Sequence, residues 1–418
     1  MGNAPTTGDE AIAIGLILLI RKIWKDKGIT IFTPDPGQYR SIQKWAQCSI
    51  ATDQCVPQLK SNVWTTRIAS LGFILGFPLF QSKHPIFQLA MTYSRISRVL
   101  FLQGGPEWSL PNLIRIRHLL HRYILLRSLR IQGVYLYSIG QAFGPIPKKS
   151  ILKFLASKFL LRRCLRCLTL VAPRDALSSE LVSQLAKPSN NCIAGCDTAL
   201  LLSQKVLPKS LIQSHYKLKH RSHAVVKIGL STRDFQDHYN CAKHRKRYIE
   251  EFAILVDEIS DLGYKICWIP TDSHHHNERL NDLEMIATII ESCRSYSPSV
   301  DDLPKDSLDP DEIIQVAMGL DALISTRLHP IILASIVGTP AISLAYDSKC
   351  LRYMDSIGMG DYTSNIEDFS TGKVKDLLHR LLKEREQRSS AILQYTTGAA
   401  ESLSARVIDI ITTQLSCP

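Results

Sequence analysis

An α/β fold built from two Rossmann-like domains is predicted for this chain by three observations. Its 418 residues are enough for two domains of ordinary size. Short apolar runs of strand type alternate with helical segments along most of the chain, the pattern of parallel sheets. Residues 321–349, DALISTRLHPIILASIVGTPAISLAYDSK, read as one complete strand–loop–helix–strand unit.

Each piece of that unit has a physical reason. Residues 322–325 are an apolar strand, and Thr326, Arg327, Leu328 and His329 make a tight loop. Pro330 stands where a helix begins, a place that tolerates its missing N–H. The helix covers 331–337 and Gly338 closes it. Residues 341–345 form the second strand, which runs into Tyr346, Asp347 and Lys349. The loop sets Arg327 and His329 at a helix N-terminus, where free N–H groups and the helix dipole favour anions. An Arg fork adds bidentate recognition of phosphate or carboxylate, and a His moves protons near neutral pH. The loop alone is equally consistent with a surface Arg and a capping His.

The other elements follow in order. Asp9 and Glu10 open a helix reaching about Trp24, where they either cap its positive end or contact a ligand. Residues 29–32 are a strand, followed by a Pro/Gly turn at 33–37. Between 40 and 98, Gly72, Gly76 and Pro78 break a helical spacing. Residues 99–103 are a strand that enters Gly104-Gly105-Pro106, a tight turn in which Pro106 removes one N–H donor. A basic helix covers 114–130, and a strand covers 133–139. Gln141 lies in the next loop, at a strand's C-terminal end, where ligands of parallel sheets collect. Residues 148–167 are a basic helix whose charged and apolar residues do not separate cleanly on a helical wheel. The strand 169–172 ends at Arg174-Asp175, which reads as a loop ion pair or as a ligand contact. The polar stretch 205–223 serves as a linker, giving domains 1–218 and 219–418.

The second domain opens with the strand 225–230, which delivers Ser231, Thr232 and Arg233. Arg233 leaves a strand end as Arg327 does, so the two can clamp one small polyanion. An amphipathic helix at 248–262 precedes the strand 264–269 and the run His274-His275-His276. Three consecutive residues rarely all reach one ion, and no metal site is assigned there. Helices follow at 282–292 and from Asp309-Pro310 onward, and two more close the chain at 374–394 and 399–415.

The net charge is +12 and unevenly placed: 28 Lys and Arg against 9 Asp and Glu up to residue 218, then 22 against 29. A basic N-terminal half calls for an anionic partner. No nucleic-acid-binding motif is present, and an anionic membrane surface or a lipid-diphosphate-linked sugar fits better; a solvated basic face with no partner is the alternative. The 11 cysteines show no disulfide rhythm, and neither Cys164/Cys167 nor Cys192/Cys196 belongs to a recognisable ligand pattern. There is no signal-peptide pattern and no apolar run of membrane-spanning length, so a cytoplasmic location is expected, peripheral at the inner face of the plasma membrane.

One ordered set of segments goes further. TGDEAI near the start, Gly104-Gly105, SIGQAFGPI, Arg174-Asp175 with Ser178, CDTALLL, Ser231–Arg233 and RLHPIILASIVGTPAISLAYDSK together resemble the polysaccharide pyruvyl transferase family over nearly the whole chain. The resemblance implies two Rossmann-like domains facing a cleft, similar to the B-type glycosyltransferases. It also implies transfer of a pyruvate ketal from phosphoenolpyruvate to a sugar of a cell-surface or exopolysaccharide, or to its lipid-linked oligosaccharide precursor. No cofactor or metal is implied beyond phosphoenolpyruvate as co-substrate. On this reading His329 is the general acid, and Arg327, Arg233 and Lys349 hold the donor's phosphate and carboxylate. Asp9, Glu10, Gln141 and Arg174 stand on the acceptor side. The family's first strand is not found before Gly8, so the chain reads as beginning late. Two alternatives stay open: a nucleotide-sugar-dependent glycosyltransferase of the same architecture, and a degenerate member that only binds a glycan.

Overall fold

The computed structural model describes residues 7–33, 49–52, 90–102 apart from 92, 96 and 98, 113–144, 146, 150–185, 192–205, 225–234, 242–272, 281–299 and 302–416. The chain divides into two compact units. The first holds Leu16–Thr198 and Leu403–Pro418, and the second holds Asn3–Gly15 and Ala199–Ser402. Helix α1, Thr7–Ile23, contributes its first turns to the second unit and the rest to the first.

The second unit is built on five parallel strands: β6 (Lys227–Ser231), β7 (Lys265–Trp268), β8 (Ala322–Ser325), β9 (Ala341–Ala345) and β10 (Thr363–Asn365). Their order across the sheet is β10-β9-β8-β6-β7. Every residue of β8 and β9 is buried. That follows from their largely apolar sequences, interrupted only by the small Ser325 and Ser343, because a parallel sheet is covered on both faces. The order has one topological switch, between the neighbouring strands β6 and β8, and ligands of such sheets bind at that point beyond the strands' C-terminal ends.

Helix α5 (Ala242–Asp261) lies between β6 and β7, and the later connecting helices start and stop for local reasons. Helix α6 (Asp282–Ser292) is capped by Asn281, whose Oδ1 accepts from the Leu283 N–H at 3.1 Å. Helix α7 (Pro310–Met318) has a full capping box. The Asp309 side chain accepts from the Glu312 N–H at 2.9 Å, and Glu312 Oε2 accepts from the Asp309 N–H at 2.8 Å. Helix α8 (Leu328–Ile336) follows β8 and ends before Gly338, which has φ +78°. Helix α9 (Ser348–Ser356) is capped by Asp347.

In the first unit, β3 (Val99–Leu102), β4 (Tyr135–Gln141) and β5 (Leu170–Pro173) form a parallel sheet. Its apolar core gathers side chains from α2 (Leu113–Ile131), α3 (Ile151–Cys167) and α4 (Ala176–Leu185), among them Leu126, Leu161 and Val182. A separate parallel pair joins β1 (Thr30–Thr33) to β2 (Ser49–Thr52). The mixed α/β class with parallel sheets is the expected one.

The C-terminal region differs from the two expected helices. It is one helix, α10, running 46 residues from Thr371 to Ser416. The break was expected before residue 399, but Gly398 sits inside the helix with open space around its Cα. One exposed Gly costs a helix only about 1 kcal/mol. Buried Ile392, Thr396, Ala400, Leu403 and Val407 keep helical spacing straight through it. Gly338 is the opposite case. A Cβ there would lie 2.7 Å from Leu393 Cγ and 2.7 Å from Ser389 Oγ, on a left-handed backbone. Gly338→Ala is therefore expected to cost about 2–4 kcal/mol, and Gly398→Ala to add about 0.5–1 kcal/mol, in urea unfolding with the far-UV spectrum unchanged.

Candidate active site

The site forms within the second unit, at the C-terminal ends of its strands. Ser325 shapes the turn that leaves β8: its Oγ accepts from the Arg327 N–H at 3.0 Å and donates to the Arg327 carbonyl at 2.7 Å. Thr326 N–H donates to the Ser231 carbonyl at 3.0 Å, which fastens this turn to the end of β6. Arg327 is the N-cap of α8, and His329 lies in its first turn. The helix begins at Leu328, slightly earlier than expected, with Pro330 as its third residue. That position still lacks an intrahelical partner for an N–H, so the proline costs nothing there.

The Arg327 side chain is buried, and its two terminal nitrogens form ion pairs with Asp272 and Asp282. Asp282 Oδ2 also accepts from the N–H of Thr271 at 2.9 Å, the N–H of Asp272 at 3.1 Å and the Thr271 hydroxyl at 3.0 Å. Burial opposes the charge on Arg327, but Asp282 and then Asp272 outweigh it and hold its pKa above the ordinary value. Burial pushes the Asp272 carboxyl up, to about 6, against the pull of Arg327; the Asp282 charge adds to the rise, and Arg233 opposes it.

A second cluster stands beside the first. Arg233, just past β6, donates from Nη1 to the Tyr346 hydroxyl at 2.6 Å, and its guanidinium carbon lies 4.7 Å from that ring's centroid. Lys349 Nζ is 5.2 Å from the same centroid. Tyr346 thus gathers two cations at the ends of β6 and β9. Asp347 accepts from the Lys349 N–H at 3.0 Å. Burial works against the Asp347 charge, yet that hydrogen bond and the Lys349 charge prevail and lower its pKa.

The first turn of α1 closes over the loop of β8. Thr7 donates its hydroxyl to the Thr271 carbonyl at 2.7 Å and to the Leu308 carbonyl at 2.9 Å. Gly8 then lies flat against His329: a Cβ on Gly8 would fall 1.9 Å from His329 Nδ1. Two helical first turns, of α1 and α8, therefore meet at the imidazole.

The candidates from the sequence divide between the units. Asp9, Glu10, Arg233, Arg327, His329 and Lys349 belong to the second unit, and Glu10 is buried. Gln141 and Arg174 belong to the first. There, Arg174 donates its N–H to the Gln141 carbonyl at 3.0 Å, and its Nη1 is 3.3 Å from Asp197 Oδ2. Its Nε is 3.9 Å from Asp175, which instead caps α4 by accepting from the Ser178 N–H at 2.9 Å. Gly104-Gly105-Pro106 and His274-His275-His276 lie outside the described residues. Sequence reasoning missed Gly8, Asp272 and Asp282 as partners of the loop. Asp272 carried one usable signal, because it follows β7 as Arg233 follows β6; Asp282 looked like an ordinary acidic residue in a first helical turn.

A parallel sheet with cations and a histidine collected at its switch point is the framework of a phosphate- or carboxylate-handling α/β protein. The chain belongs to the polysaccharide pyruvyl transferase family, whose profile matches residues 7–348. Among curated relatives, the amylovoran biosynthesis protein AmsJ of Erwinia amylovora is 22% identical over 286 residues, covering 66% of this chain and 65% of AmsJ. The match thus spans just under two thirds of that protein's length. Among solved structures, the UDP-GlcNAc 2-epimerase of Neisseria meningitidis, bound to UDP-GlcNAc, has a similar fold. It gives a TM-score of 0.59 at 11% identity and covers 97% of each chain. Anabaena HepE in complex with UDP-glucose gives 0.51 at 12% identity, covering 100% of this chain and 98% of that one. These similarities establish the α/β fold, which is that of the expected class.

Two expectations follow. Gly8→Ala should displace the His329 imidazole, moving its assigned NMR C–H resonance while Tm shifts by no more than a few degrees, since a rotating side chain relieves the clash. Asp272 holds its proton more tightly when folded than the roughly 3.9 of an unfolded Asp, so its contribution to stability falls as pH rises from about 4 to 6. The stability of wild type minus that of Asp272→Asn should therefore shrink across that window by roughly 1–3 kcal/mol, measured by urea unfolding at several pH values. A difference that grows with pH would show that Arg327 dominates over burial.

Proposed function

We propose that this protein is a pyruvyl transferase that moves pyruvate, as a cyclic ketal, from phosphoenolpyruvate to a sugar of an exopolysaccharide or its lipid-linked precursor, in the cytoplasm. The observation that carries this reading is the placement of His329 at a helix N-terminus beside the Arg233–Tyr346–Lys349 cluster. Phosphoenolpyruvate brings a phosphate and a carboxylate, and Arg233 and Lys349 are two cations beyond the ends of β6 and β9, the strands on either side of β8. Arg327 has both terminal nitrogens engaged by Asp272 and Asp282. In this proposal it positions His329 and adds positive field, and the direct anion contacts fall to Arg233, Lys349 and the N–H groups opening α8.

The chemistry suits these groups. His329, as imidazolium, donates a proton to the vinyl CH2 of the donor, and positive charge develops at the carbon bearing the phosphate and carboxylate. One acceptor hydroxyl attacks that carbon and gives up its proton, which restores the imidazolium. A second hydroxyl of the same sugar displaces phosphate and closes the ring, and its proton leaves with the phosphate. Two hydroxyl protons are thus spent, one on the new methyl group and one on phosphate. The reaction balances without a redox partner or further co-substrate. Asp9, which follows Gly8 in the first turn of α1, is assigned in this proposal to meet a sugar hydroxyl.

Calorimetry with phosphoenolpyruvate tests the donor site. Arg233→Ala is expected to weaken binding at least tenfold, and Arg233→Lys to restore it only in part, because Lys cannot reproduce the fork. His329→Ala should retain donor binding and lose about 10²–10⁴ in turnover with a sugar acceptor. A folded wild type that binds UDP but not phosphoenolpyruvate, with acceptor present, would overturn the proposal in favour of nucleotide-sugar chemistry.

A further inference from the structure

Helix α3 of the first unit presents a surface that the reaction does not use. Its buried residues are Ser157, Leu160, Leu161, Cys164, Leu165 and Cys167, which form one face. The opposite face carries Ile151, Leu152, Leu155 and Phe159, with exposures of 76%, 81%, 53% and 49%. These are four of the ten exposed large apolar side chains among the described residues. At 100° per residue the four fall within one 100° arc over the first turns of the helix. Arg162 and Arg166 continue the same arc towards the C-terminus, and both are exposed. Lys158 and Arg163 flank it, with the Arg163 guanidinium 5.2 Å from the Phe159 ring centroid. No acidic residue occurs in α3, and none in the adjacent α2.

This arrangement explains why the charged and apolar residues of the segment do not separate on a helical wheel. The helix has two apolar faces. One is in the core, and the other is exposed within a collar of cations. A solvent-facing helix gains nothing from exposing Ile, Leu, Leu and Phe, whereas an interfacial helix buries such residues at the headgroup boundary and sets Lys and Arg among anionic lipids.

We infer that the exposed face of α3 docks the protein on an anionic lipid bilayer, with Ile151, Leu152, Leu155 and Phe159 inserting and Arg162 and Arg166 meeting the headgroups. The charge selects this occupant over a second copy of the chain, since two copies of an acid-free basic helix would repel each other. The inference does not depend on which reaction the second unit performs. Among the described residues no helix is long and apolar enough to cross a membrane, so the contact is an interfacial one.

Co-sedimentation of the full chain with vesicles tests it. Wild type is expected to pellet with vesicles holding a third phosphatidylglycerol in phosphatidylcholine, to stay in solution with pure phosphatidylcholine, and to be released by 0.5 M salt. Leu152→Glu/Leu155→Glu should abolish pelleting. Arg162→Ala/Arg166→Ala should lower the partition coefficient about thirtyfold, near the loss expected from two basic residues at the surface. All substitutions are at exposed positions, and circular dichroism with sedimentation velocity checks that each variant stays folded. Equal pelleting of wild type and both variants would overturn the inference. So would a wild type that ignores anionic vesicles, or a self-association that the Leu variant removes while lipid binding is absent.

Discussion

The arrangement of the site depends on one buried ion cluster, Arg327 between Asp272 and Asp282. Removing three charges from water is expensive, and their mutual attraction offsets that cost only when every lone pair and N–H is well placed. Here the accounting closes around Asp282, which accepts from Arg327, two backbone N–H groups and a hydroxyl. Measured against apolar packing, such a cluster contributes little net stability. Its consequence is geometric. It fixes the end of β7 and the start of α6, which are close in sequence, to the cap of α8, which lies 45 residues beyond Asp282. Thr7 then ties the first turn of α1 to the same place through Thr271.

That geometry decides what the neighbouring charges can do. With its fork engaged, Arg327 is a fixed component of the wall. Arg233, one strand over, donates to a phenol, and among the described residues no carboxylate forms an ion pair with its guanidinium. A cation that donates to a hydroxyl and lies over an aromatic ring keeps more of its charge available to a ligand than one paired with carboxylates, whose charge offsets it. The site therefore sorts its two arginines by partner, one held by two carboxylates and the other by a tyrosine.

How much of this was legible in the sequence follows from range. The loop at Arg327–His329 could be read because everything shaping it is local: an apolar strand before it, Pro330 in the first helical turn, and Gly338 at the end. Arg233 could be read for the same reason, as a residue leaving a strand. The partners of Arg327 could not. Asp272 and Asp282 lie 55 and 45 residues away, and nothing at either position announces a buried ion pair. Gly8 posed a similar difficulty: its lack of a side chain matters only because His329, over 300 residues later, occupies the space. The expected gap between residues 394 and 399 erred in the other direction, since Gly398 within it is tolerated inside one long helix.

The uneven charge of the chain takes on meaning once the two units are considered separately. The half up to residue 218 carries 28 basic and 9 acidic residues, yet the cations at the candidate active site come from the other half, which is net acidic. Net charge is thus a poor guide to where a small anion would bind, because a site needs two or three cations held at fixed positions, not an excess of them. An acidic surrounding even sharpens such a site by discouraging binding elsewhere on that unit. An excess of mobile surface cations does different work: it attracts an extended anionic surface, with a strength that grows with the number of contacts and fades with salt. The exposed Lys153, Lys158, Arg162 and Arg166 of α3, a helix with no acidic residue, are of that second kind. Cations fixed at strand ends and cations distributed along a helix face therefore need not share a unit, and in this chain they lie in different ones.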